Sequence, residues 1–240
     1  MKIPRKIDDR LKDAIVNVQF VPGIPAAAVW GYFHQLFQHD LAALPVFVPF
    51  QRLNLALGGM QIESQMPPPF LTQDQRFRID LSGEAISFNL LSGYPGWEEY
   101  RQTLERFLSP LFANKLIGQV QRVGVRYISR FENVRIFDKI NGIVQLNVVP
   151  SDARGQVRLE FERSSFTSVI TLVSGFPPAP GMEASYFSLI DIDIIKIYPA
   201  DNSLTYENIF DDLETAHNLQ KDSFFSILSE PFIEELNPEY

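Results

Sequence analysis

Strict alternation of apolar and polar residues dominates the middle of this chain. In Arg122-Val123-Gly124-Val125-Arg126-Tyr127-Ile128-Ser129-Arg130, a period of two sends Arg122, Gly124, Arg126, Ile128 and Arg130 to one face of an extended strand. Val123, Val125, Tyr127 and Ser129 point to the other face. Three guanidiniums on one strand face need partners. Asp191 and Asp193, two residues apart in the otherwise apolar run 189–195, share a strand face and are the expected ones.

The same periodicity predicts a first strand over 15–20, ended by Val21-Pro22-Gly23-Ile24-Pro25, whose second proline presets a helix start. That helix is expected to reach about residue 40, with Val29, Tyr32, Phe33, Leu36 and Phe37 on one side and His34, Gln35, Gln38 and His39 on the other. Short strands are predicted at 45–50 and 53–57, and a proline-rich loop at 66–71. The clearest hairpin pairs 76–81 with 85–90 around Ser82-Gly83-Glu84. A second helix follows Tyr94-Pro95-Gly96, with Tyr100, Leu104, Phe107, Leu108 and Leu111 as its inward stripe.

Beyond the arginine strand, further strands are predicted over 142–149, 156–163, 167–173 and 185–198, joined by turns at 150–155 and a proline-rich loop at 175–181. A last helix is expected from Thr205, capped by Ser203 or Thr205 without a strict capping box. Strand, helix, strands, helix, strands, helix, with hairpin links and no repeated βαβ units, predicts an α+β fold: a mainly antiparallel sheet with about three helices packed on it. The expected division is an amino-terminal segment (1–13), an α+β domain (14–200), and an acidic carboxy-terminal helix and tail (201–240) packed on or extending from it.

The formal net charge of -8 opposes nucleic acid and anionic membrane surfaces, so neither is an expected partner. The chain has no cysteine, which removes disulfides, thiol nucleophiles and thiolate metal sites together and suits a reducing cytoplasm. No stretch has the roughly 20 apolar residues of a membrane span. With three histidines and no cysteine, no metal or other cofactor is expected, and His217 stands alone in sequence. Gly-x-Ser-x-Gly and Gly-x-x-x-x-Gly-Lys motifs are both absent.

Two assignments remain for the arginine and aspartate residues. Asp191 and Asp193 beside Arg126 are either an internal ion-pair seam or paired carboxylates for acid–base work. Arg122, Arg126 and Arg130 either take part in that seam or line a site for a phosphate or carboxylate, which guanidinium forks suit. Gly124 between two of them leaves room for something to lie close on the sheet. Phe70, Tyr94 and Trp97 on proline-rich loops, and Phe232, Ile233 and Leu236 in the acidic tail, have the composition of partner-binding anchors.

Phe70-Leu71-Thr72-Gln73-Asp74, Ile86-Ser87-Phe88-Asn89, Tyr94-Pro95-Gly96-Trp97-Glu98-Glu99-Tyr100, Val123-Gly124-Val125-Arg126-Tyr127-Ile128-Ser129, Asp191-Ile192-Asp193 and Ala216-His217-Asn218 occur in this order along nearly the whole chain. Together they resemble a sporadically distributed family of uncharacterised bacterial proteins, whose members usually carry asparagine where this chain has Ser129. The resemblance implies a bacterial, cytoplasmic, single-domain protein and brings no activity with it. The expected function is a non-enzymatic binding or protein-interaction component, acting with a genomically neighbouring partner. The alternative is a small-molecule or anion-processing enzyme using Arg126, Asp191 and Asp193.

Overall fold

A computed structural model of the chain describes residues 3–4, 7, 10–42, 53–56, 59–62, 68–141, 154–177, 186–200 and 204–240. In chain order the elements are β1 (Leu11–Pro22), α1 (Ala26–Phe37), β2 (Leu53–Ala56), β3 (Gly59–Ile62), β4 (Phe70–Leu71), β5 (Phe77–Leu81), β6 (Ala85–Leu90), α2 (Trp97–Ala113), β7 (Ile117–Glu132), a 3-10 turn (Ile136–Asp138), β8 (Gly155–Arg163), β9 (Phe166–Phe176), β10 (Phe187–Ile197), α3 (Tyr206–Ile227) and α4 (Glu230–Glu235). Eight strands form one antiparallel sheet in the order β4-β5-β6-β1-β7-β10-β9-β8, and β2 and β3 form a separate hairpin. This is the α+β class that the alternation predicts. The strands expected at 45–50 and 142–149 lie outside the described residues.

β7 is central because its sixteen residues pair with β1 on one side and β10 on the other. Its apolar row, Val123, Val125 and Tyr127, is buried beneath the helices with Val16 and Val18 of β1, Phe88 of β6 and Ile190, Ile192 and Ile194 of β10. The five residues expected on the inward stripe of α2 are all buried, and Phe107 stacks among Phe33, Phe37 and Phe88. The Tyr100 hydroxyl donates to the carbonyls of Phe88 (2.7 Å) and Ala14 (3.1 Å), which fixes α2 over β6 and β1.

Several expectations change in detail. Only Val29, Phe33 and Phe37 of the α1 stripe are buried, because the stripe is narrower than its composition suggests and leaves Tyr32 and Leu36 exposed. Phe70 and Leu71 are not loop: they form the short edge strand β4, pairing with Ile79 and Arg78. Thr205 caps α3 in a reciprocal box, its hydroxyl accepting from the Asn208 amide and its own amide donating to the Asn208 side chain. Asparagine fills the place usually held by glutamate or glutamine. Gly23 is required where β1 turns off the sheet, since a Cβ there would lie 2.1 Å from the Lys115 carbonyl oxygen.

Phe107→Ala would empty the centre of the α1–α2 aromatic stack. Loss of about 3–5 kcal/mol is expected, measured as a shift in the urea unfolding midpoint with an unchanged slope.

Candidate functional site

The sheet has one face under α1, α2 and α3. On its other face, the alternation places Arg122, Arg126 and Arg130 of β7 beside Asp191 and Asp193 of β10. Arg126 is directly opposite Asp193 in register, yet its Nε and terminal nitrogen donate to the diagonal neighbour Asp191 at 2.8 and 2.6 Å. This is the bidentate fork that guanidinium and carboxylate planes favour, and it raises the already high pKa of Arg126, chiefly through that hydrogen bond.

Arg122 takes the second aspartate. One of its terminal nitrogens lies 3.6 Å from Asp193 and the other donates to Asn17 Oδ1 at 2.9 Å, while Asn17 Nδ2 donates to Ser87 at 2.7 Å. A polar row therefore crosses β10, β7, β1 and β6. Gly124 lies beneath this row, where a Cβ would stand 3.3 Å from both Arg122 terminal nitrogens and 3.4 Å from Asp193, a close fit against the side-chain ends. The space expected for an approaching ligand holds the chain's own guanidinium. Arg130 leaves the row altogether, with its guanidinium 4.6 Å over the Phe187 ring and 3.6 Å from Glu132.

Beside the Arg126–Asp191 fork, a depression of about 220 Å³ is lined by Arg126, Arg158, Val169, Thr171, Asp191 and Asp193. Removal from water raises the Asp193 pKa, and the nearby Arg122 and Arg126 charges oppose that rise. Arg158 pairs with Glu160 of its own strand at 2.9 Å. The depression thus offers a row of pre-formed ion pairs with a Thr171 hydroxyl and a Val169 methyl surface between them. Such a surface can exchange hydrogen bonds with a polar partner. Among the described residues no group of three or more histidine or acidic side chains is placed to hold a metal ion.

A second polar group lies under the helices and was not legible in sequence. Tyr94 and Tyr127 hydroxyls are 2.8 Å apart, and Tyr127 is 3.2 Å from His217 Nδ1. Trp97 stacks on the His217 ring, 4.3 Å between centroids and 3° between planes, and its indole N–H donates to Glu214 at 2.6 Å. His217 is therefore neither solitary nor solvated. Burial, with a smaller contribution from Lys221, lowers its pKa to about 4, so the ring is neutral; burial also pushes the Tyr94 hydroxyl up to about 12. Only the tertiary meeting of α2, α3 and β7 creates this cluster.

The residues expected as surface anchors are placed differently. Phe70, Phe232, Ile233 and Leu236 are at most 2% exposed and belong to the core, so this structure does not offer them to a partner. Phe70 packs against Phe33 and Trp30, and Phe232 against Phe131. Tyr94 and Trp97 are half-buried in the cluster just described. The acidic run of α3 and α4 also meets more cations than its own segment holds. Asp212 accepts from Lys196 (2.6 Å) and Tyr198 (2.8 Å), Asp222 pairs with Arg163, and Glu235 pairs with Lys139.

No protein-family model and no curated protein matches this chain.

Two outcomes are expected from this geometry. Asp191→Asn removes the negative charge and one of the two acceptor oxygens of the fork, facing a guanidinium that is 44% exposed, so it should cost about 1 kcal/mol. Asp193→Asn should cost less, because neutralising it also relieves its desolvation; urea denaturation at pH 7 measures both. For His217, the folded pKa of about 4 is below the ordinary 6.5, so the unfolded chain takes up the proton first. Stability should be highest above pH 6.5 and fall by on the order of 2 kcal/mol as pH drops to about 4. That part of the slope should vanish in His217→Gln.

Proposed function

We propose that this protein is a non-enzymatic binding component of a bacterial, cytoplasmic system, engaging a protein partner through the open face of its sheet. The partner we favour is the product of a neighbouring gene. One observation carries the reading: the Arg126–Asp191 fork and the Arg122–Asp193–Asn17–Ser87 row neutralise the charged side chains against one another. An acid–base site needs a group poised to take or give a proton at the reacting atom. Here the carboxylates of the depression already have guanidinium partners, while ion pairs of this kind suit recognition, where complementary charges set register and select the partner.

A second reading, a small-molecule or anion-processing enzyme, is favoured by one observation: Asp193 has a raised pKa and borders the depression beside Arg126 and Arg158. Raised carboxyl pKa values in a concave site are a recognised mark of catalytic groups.

Immobilised protein incubated with extract of its own source cells should retain one partner in comparable molar amount. Thr171→Arg, which fills the depression, and Ile128→Glu, on the same face, should abolish retention, whereas His217→Gln on the helix side should preserve it. Equal retention by all variants, or none by the wild type, would sink the binding reading. An activity abolished by Asp193→Asn would establish the enzymatic one instead.

A further inference from the structure

We infer that the depression on the open face binds a small zwitterion, of which a free α-amino acid is the simplest, with Asp193 and Thr171 holding its ammonium and Arg126 and Arg158 its carboxylate. At about 220 Å³ the depression is smaller than sites for drug-sized ligands, so its occupant is a solute of a few heavy atoms. Val169 and Thr171 of β9 lie in the middle, with Asp191 and Asp193 of β10 on one side and Arg158 of β8 on the other. Arg126 adds a guanidinium from β7, one strand beyond β10. β8 and β10 flank β9 and are about 10 Å apart, a gap that the Arg158 side chain and one small solute can bridge.

The hydrogen-bonding capacity left over here has both signs. Asp193 is matched in charge by Arg122 at 3.6 Å, but among the described residues it accepts no hydrogen bond. Removal from water raises its pKa, the mark of a negative charge short of donors. Asp191 differs, since the fork from Arg126 Nε and Nη2 occupies both of its oxygens. That fork leaves Arg126 Nη1 without a partner among the described residues. Arg158 Nη2 is 2.9 Å from Glu160, but these side chains are 57% and 52% exposed. Such a surface pair is worth little, so Arg158 can turn to a ligand at small cost.

Charge selects the ligand. Arg126 and Arg158 balance Asp191 and Asp193, which makes the lining neutral. A lone cation would satisfy Asp193 but meet two guanidiniums, and a lone anion would satisfy the guanidiniums but meet two carboxylates. An ammonium and a carboxylate on one carbon satisfy both without adding net charge. Each contact is then a charge-assisted hydrogen bond, stronger than a neutral amide could make. The methyl groups of Val169 suit a short apolar side chain on that carbon.

NMR titration of ¹⁵N-labelled protein with L-alanine to about 20 mM should shift the Val169, Thr171 and Asp193 amides along saturable curves, with Kd on the order of 1 mM. Propionate, ethylamine and propionamide each keep only part of alanine's polar pair and should bind at least about tenfold more weakly. Asp193→Asn and Arg158→Gln should each weaken alanine by about tenfold or more, with the urea unfolding midpoint little changed. No saturable shift, equal affinity for alanine and any of the three comparators, or undiminished affinity in either variant would overturn the inference. It goes beyond the protein-partner reading and does not depend on it. These titrations use purified protein alone and the partner experiment uses cell extract, so either can fail without the other.

Discussion

The register between β7 and β10 is the constraint on which the rest depends. With Arg126 opposite Asp193, Val123, Val125 and Tyr127 of β7 and Ile190, Ile192 and Ile194 of β10 turn inward, while Arg122, Arg126, Asp191 and Asp193 turn outward. A slip of one residue in β7 would turn three guanidiniums into the hydrophobic layer and put valines in water. Desolvating even one unpaired guanidinium costs several kcal/mol. The Arg126–Asp191 fork and the Arg122–Asp193 contact add little net stability at a partly exposed surface, but they penalise every other register.

That separation of faces was largely legible before folding. A period of two over 122–130 and 189–195 named both rows, and the stripe Tyr100, Leu104, Phe107, Leu108 and Leu111 named the helix face that covers one of them. What stayed hidden depended on contacts between distant segments. The expectation that aspartates would neutralise the arginines held for Arg122 and Arg126. Nothing local could show that Arg130 turns instead to Phe187 and Glu132, or that the Arg122 guanidinium lies over Gly124. Phe232, Ile233 and Leu236 looked like a docking segment because acidic neighbours surround them. Burial decides otherwise: α4 folds back with Phe232 against Phe131, and the tail completes the core.

The two polar groups on opposite faces of β7 have different physics. On the open side, charges are paired near water, can be screened by salt and can exchange partners. Under the helices, Tyr94, Tyr127 and His217 are linked as neutral groups in a site that disfavours charge. The stacked Trp97 and its bond to Glu214 hold α3 to α2 at that point. Neutral hydrogen bonds in such a setting are costly to leave half-made, so this cluster orients the helices. The open side retains the freedom that recognition needs.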